Sequence, residues 1–155
     1  MNPGQDKVSI FMLTDQLRND KTILSSPVDA NGVFKMALLI DEPMMVRFEH
    51  AFENMYIYIA PGERMSMNFE SDKMWKTIKY EGQGAANNNY MVAYFNQFEK
   101  EVDQIYIEME SEMSPDGFMK YADDLKRKKM QFFEKYQKEH VFTHRFEEIA
   151  KGDIV

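Results

Sequence analysis

Gly82-Gln83-Gly84-Ala85-Ala86-Asn87-Asn88-Asn89-Tyr90 is where this chain changes period. Upstream of it, short apolar runs alternate with turn signals, the pattern of an antiparallel meander or sandwich. Downstream, apolar residues recur every three or four positions, and any of the three asparagines can cap a helix by accepting an orphan N–H. The expected fold class is therefore α+β. An N-terminal antiparallel β-sandwich of about seven strands spans 1–84, and a helical segment of one antiparallel pair and a short third helix spans 85–155.

Working upstream, Thr77-Ile78-Lys79-Tyr80-Glu81 reads as the last strand, and Met65-Ser66-Met67-Asn68-Phe69-Glu70 as its predecessor, with odd positions apolar and even ones polar. Pro61-Gly62 suits the centre of a type II turn after Met55-Tyr56-Ile57-Tyr58-Ile59. Asn31-Gly32 is the strongest hairpin signal, because both residues tolerate the positive φ of a type I′ turn. It is expected to feed a strand at Val33-Phe34-Lys35-Met36-Ala37-Leu38, ended by Asp41-Glu42-Pro43. Met45 to His50, Val8 to Leu13 and Thr22 to Ser25 complete the set, the last two joined by a turn at Asn19-Asp20.

Downstream, Met91, Phe95, Phe98, Val102, Ile105 and Met109 form one helical stripe. Ser114-Pro115-Asp116 starts a second helix, with serine as cap and proline where its missing donor costs nothing. Its stripe is Phe118, Ala122, Leu125, Phe132 and Tyr136, and a third helix runs from Thr143 to Lys151 and stops at Gly152. Glu99 to Asp116 holds seven acidic residues and one basic, whereas Lys120 to Lys138 holds seven basic and three acidic. Opposed charge should set the register of the helix pair, while apolar contact supplies most of its stability.

Composition narrows the functions. The longest aliphatic run, Met36 to Ile40, is far too short for a membrane span, which needs roughly 20 residues. A net charge of −7 over 155 residues opposes nucleic-acid binding. Cys is absent, so thiolate chemistry and Cys-ligated metals have no residue to use. No catalytic residue, cofactor or metal is expected. Ser has no Gly-x-Ser-x-Gly setting and Gly82-x-Gly84 lacks the rest of a phosphate loop. His140 and His144, four apart, are a weak candidate metal pair that Thr143 would break as a helix cap. His50 shares parity with Val46 and Phe48 and reads as a hydrogen-bonded histidine at the edge of the core. Met1 to Asp6 shows neither the basic nor the apolar region of a signal peptide.

The candidate interaction surface has two parts. Tyr56 and Tyr58 point away from the face of Met55, Ile57 and Ile59, and with Trp75, in a loop before the last strand, could dock a partner, a small ligand or a glycan. Phe142 and Phe146, with Ile149, Ile154 and Val155, leave apolar surface on the helical half, through which a homodimer is expected.

Three motifs occur together: Pro-Val-Asp-x-Asn-Gly-x-Phe (Pro27 to Phe34), Tyr-Ile-x-Pro-Gly (Tyr58 to Gly62) with its alternating strand, and Gly-x-Gly-Ala-x-x-Asn-Asn-Tyr (Gly82 to Tyr90). In this the chain resembles the N-terminal region of Bacteroidetes thioredoxin-like thiol-disulfide oxidoreductases of the TlpA and peroxiredoxin-like group, over residues 8 to about 110. The resemblance implies a non-catalytic accessory domain that positions a following thioredoxin-like domain, or recognises its client protein, in the periplasm or cell envelope. That following domain would own the Cys-x-x-Cys chemistry, and this chain would be a piece of the longer parent.

Overall fold

The computed structural model describes residues 7–12, 21–110 and 114–154, with side chains outside 99–110. Strands β1 (Lys7–Met12), β2 (Lys21–Pro27), β3 (Met44–His50) and β4 (Glu53–Ile59) form one antiparallel sheet in the order β2-β1-β3-β4. Strands β5 (Met65–Asn68) and β6 (Lys79–Gly82) form a second, two-stranded antiparallel sheet, with helix α1 (Met74–Thr77) between them. Three helices follow: α2 (Ala85–Glu110), α3 (Pro115–Glu139) and α4 (His144–Gly152). The fold is α+β.

Register on the large sheet follows the alternation of its residues. Ile10 lies opposite Phe48 and Phe48 opposite Met55, while Val46 lies opposite Ile57, so a single face carries the apolar set. All five are buried. The small sheet reaches this face: Phe69, just past β5, sits edge-on to Phe48 at 5.8 Å, and the Tyr80 hydroxyl of β6 donates to Met55 Sδ at 3.4 Å.

The turn after β2 falls one residue earlier than expected. Asp29 and Gly32 close it, with Gly32 N–H donating to Asp29 O and Asp29 N–H to Val33 O, both at 2.9 Å. Ala30 and Asn31 are therefore its central residues, and only Gly32 takes a positive φ, 78°. This is a three-residue connection with glycine in the left-handed position rather than a type I′ turn. Pro61-Gly62 does form the expected turn, with Glu63 N–H donating to Ala60 O and Gly62 at φ 76°.

Residues 33–38 are not a ladder strand, and six strands rather than seven are present among the described residues. Burial still alternates from Phe34 to Ile40, so the two-residue period was sound. What is missing is a partner: Phe34 packs on the rings of Phe48 and Phe69 at 5.8 and 6.4 Å, which takes the segment onto the face of the sheet instead of alongside β2. Trp75 lies half-buried on α1, not in a loop, because Met74 anchors that turn in the core. The Asn19-Asp20 turn and Leu13 lie outside the described residues.

The chain divides into two compact units, Met1–Asn88 and Asn89–Val155. In the second, Ser114 caps α3 by accepting from Gly117 N–H at 3.2 Å, and Pro115 opens the helix. Phe98 meets Phe132 and Tyr90 meets Tyr136, so α2 and α3 run antiparallel. Rings at Phe133, Phe142 and Phe146 close around Tyr90 at 5.3 to 5.9 Å. Each such edge-on or tilted pair adds about 1 kcal/mol beyond the area it buries. The side chains of Val102, Ile105 and Met109, and the acidic half of the charge pattern, lie outside the described residues.

Candidate functional site

A hollow of about 470 Å³ opens in the first unit between the loop after β2, the end of β5 and the adjoining ends of β1 and β3. Phe34 and Phe69 form an aromatic wall, Val8 and Val28 add apolar surface, and His50, Asn68 and Ser71 bring side-chain polar atoms. The volume lies within the range of small-molecule sites, roughly 300–1,000 Å³.

His50 is the residue with chemistry here. It closes β3, pairs with Val8 and Glu53, and is 7% exposed. Its Nδ1 lies 3.2 Å from Lys7 O. A carbonyl only accepts, so Nδ1 is the donor in this contact. The ring stands edge-on to Phe69 at 5.7 Å, which fixes its plane. This is the hydrogen-bonded histidine at the core edge that strand parity predicts.

Asp29 shapes the rim rather than the chemistry. Its Oδ1 accepts from the N–H groups of Asn31 and Val33 at 2.8 and 2.9 Å, an arrangement that mimics a backbone turn. Among the described residues no hydrogen bond joins Ser71 to His50, so no nucleophile and base are paired. What the hollow can do is hold a planar or apolar group against Phe34 and Phe69 while the His50 ring supplies a polar contact. No group of three or more His, Asp and Glu side chains is placed to hold a metal among the described residues. His140 stacks on Tyr136 at 4.3 Å, whereas exposed His144 lies 3.9 Å from Glu148.

The glycine and asparagine motif has a different task. Asn88, 1% exposed, accepts from Tyr58 N–H with Oδ1 and donates to Tyr58 O with Nδ2, both at 2.8 Å. One side chain thus replaces a ladder pair on the outer edge of β4. The same Nδ2 lies 3.3 Å from Gly84 O and 3.4 Å from Met65 Sδ. Gly82 and Gly84 make the corner that brings Asn88 there: Gln83 N–H donates to Arg64 O at 2.9 Å and its Oε1 accepts from Arg64 N–H at 3.1 Å. A Cβ on Gly82 would come within 2.6 Å of Arg64 O.

Comparison with protein families, with curated proteins and with solved structures found no match for this chain.

The residues proposed as an interaction surface separate. Tyr56 is 49% exposed on β4, but Tyr58 is fully buried, so they form no outward pair. Parity alone places both on the open face, and parity does not encode burial. With Trp75 half-buried, Tyr56 is the most open of the three. Phe142 at 9%, Phe146 at 1% and Ile154 at 5% are also buried, and aromatic rings of the same unit surround the two phenylalanines. Of the apolar helical residues expected to form a dimer, these three are buried, Ile149 is half-buried and Val155 lies outside the described residues. Sequence reasoning missed Tyr90, the hub of that cluster, because it sits one position before the stripe of Met91 and Phe95. It also missed Asn88, whose only signal was the run of three asparagines read as caps.

Proposed function

We propose that this chain is a non-catalytic interaction and positioning module, akin in its N-terminal part to the accessory region of cell-envelope thiol-disulfide oxidoreductases, with a reduced sandwich of four strands against two. The observation that carries the reading is the work its resemblance motifs perform. Asp29 holds a turn, Gly62 makes one, and Gly82, Gly84 and Asn88 fasten a corner to β4. Such residues shape a scaffold, and a chain with no cysteine supplies no thiol of its own to a redox reaction. Its partner is a thioredoxin-like domain of a parent chain or that domain's client, met in the periplasm or envelope, with Tyr56 on the contact surface.

The test adds the purified chain in trans to a Cys-x-x-Cys thioredoxin domain and follows reduction of a folded disulfide client. A rise in apparent second-order rate that saturates with chain concentration, and weakens in Tyr56→Ala, is expected. An unchanged rate at all concentrations removes the reading.

The hollow favours a second reading, a small-ligand module that uses His50 and Phe69 rather than the tyrosines. His50→Ala should abolish ligand-induced shifts of the Phe69 ring protons in a fragment screen by NMR. A screen without a single such shift removes it.

A further inference from the structure

Residues 34–40 carry the burial pattern of a strand without belonging to a ladder. Side chains alternate between half-buried at Phe34, Met36, Leu38 and Ile40 and exposed at Lys35, Ala37 and Leu39. Yet no backbone–backbone hydrogen bond involves residues 34–40 among the described residues. Leu39 is 96% exposed. A segment with this alternation and no backbone hydrogen-bond partner is a template for another strand.

We infer that two copies of this chain pair through residues 35–41 in an antiparallel, two-fold register centred on Leu38. The sequence supplies the argument for a second copy as occupant. In that register Lys35 of each copy lies opposite Asp41 of the other, Met36 opposite Ile40, Ala37 opposite Leu39, and Leu38 opposite itself. Opposite charges therefore meet at both ends of the ladder and apolar residues along it, the cross-strand pairs that stabilise an antiparallel sheet. Parity agrees as well, since the exposed positions face exposed positions. A two-fold axis needs a self-complementary patch, and this register provides one. Phe142, Phe146 and Ile154 of the helical half are buried, whereas this segment offers exposed positions.

Sedimentation velocity on the full chain, from about 1 µM to about 1 mM, the span of weak association, tests this. Concentration-dependent dimer is expected. Ala37→Pro removes an N–H that has no backbone partner in the monomer, and Leu39→Lys adds charge at an exposed position. Each should raise the dissociation constant at least tenfold without changing the circular dichroism spectrum. Should Ala37→Pro fold poorly, Leu39→Lys carries the test alone. Lys35→Asp and Asp41→Lys should each weaken pairing, and the double exchange should restore it. A monomer throughout, a dimer that Leu39→Lys leaves intact, or a double exchange that rescues nothing overturns the proposal.

Discussion

Two stretches of backbone in the first unit present an edge that no strand covers, and the molecule treats them oppositely. At Tyr58, on the outer edge of β4, the Asn88 amide fills both backbone valences at 2.8 Å. At residues 34–40 the backbone has no such substitute. The difference follows from burial. Tyr58 is fully enclosed, and an enclosed N–H or C=O left unpaired costs about 1–3 kcal/mol. Alternate residues of the other segment face solvent, where water satisfies the same groups at little cost. A side chain substitutes for a strand where water cannot.

The sharpest way to break this contrast is Asn88→Ala. It orphans two buried backbone groups at once, and the expected loss is about 3 kcal/mol, read as a shift in the urea midpoint. Asn88→Asp keeps an acceptor for Tyr58 N–H but gives Tyr58 O no donor, so it should not recover the loss. A midpoint unchanged in Asn88→Ala would mean the edge of β4 is solvated after all.

Gly82→Ala attacks the corner that delivers Asn88. Gly82 has φ 94°, and a Cβ there meets Arg64 O at 2.6 Å, a main-chain atom that cannot swing aside. A destabilisation of about 2 kcal/mol is expected from the combination of left-handed backbone and overlap. Amide exchange at Tyr58 should quicken beyond the global change if the corner is what holds the clamp.

Much of this was legible in the sequence and some was not, for one physical reason. Alternation at Met65 to Asn68, the Pro61-Gly62 turn, the Ser114-Pro115 helix start and the edge placement of His50 are set by neighbours within a few residues, so local pattern found them. Whether residues 33–38 would join a ladder depends on where Phe34 finds Phe48 and Phe69, contacts 14 and 35 residues away, and alternation does not encode a partner. Parity likewise does not encode that the Tyr58 side chain is buried, nor that its backbone meets Asn88, 30 residues on. The polar residues that line the hollow were passed over because Asn68 and Ser71 belong to a β-strand end and a loop, with no motif between them.

At the far end of β4 a smaller, opposite effect is expected. Ala51 is the single residue other than glycine with positive φ among the described residues, 54°, at the two-residue link between His50 and Glu53. No Gly, Asn or Asp occurs at Ala51-Phe52, so no hairpin signal marks the link. Ala51→Gly should relieve the left-handed strain and stabilise by about 0.5–1 kcal/mol, less than the strain itself because glycine gains entropy when unfolded. A raised thermal midpoint checks it, and a lowered one would show that the turn holds no strain.

The smallest expected effect is electrostatic, and it decides between two influences at the clamp's corner. The Glu63 carboxylate packs against Gly84, whose carbonyl receives Asn88 Nδ2, immediately before α2 begins. Burial pushes its pKa above the usual carboxylate range, and a hydrogen bond with the Ala60 backbone opposes that without cancelling it. A carboxyl whose pKa is raised by folding contributes stability that is fully present below its unfolded pKa and is lost as pH rises through the folded one. Glu63→Gln should therefore melt alongside the parent near pH 4 and above it near pH 7, about the two sides of a glutamate titration. The rival influence is the N-terminus of α2, whose helix dipole favours the ionised carboxylate and would give the reverse order at neutral pH. If Glu63→Gln melts lower at pH 7, the helix end outweighs burial, and the corner that carries Asn88 is held by charge as well as by shape.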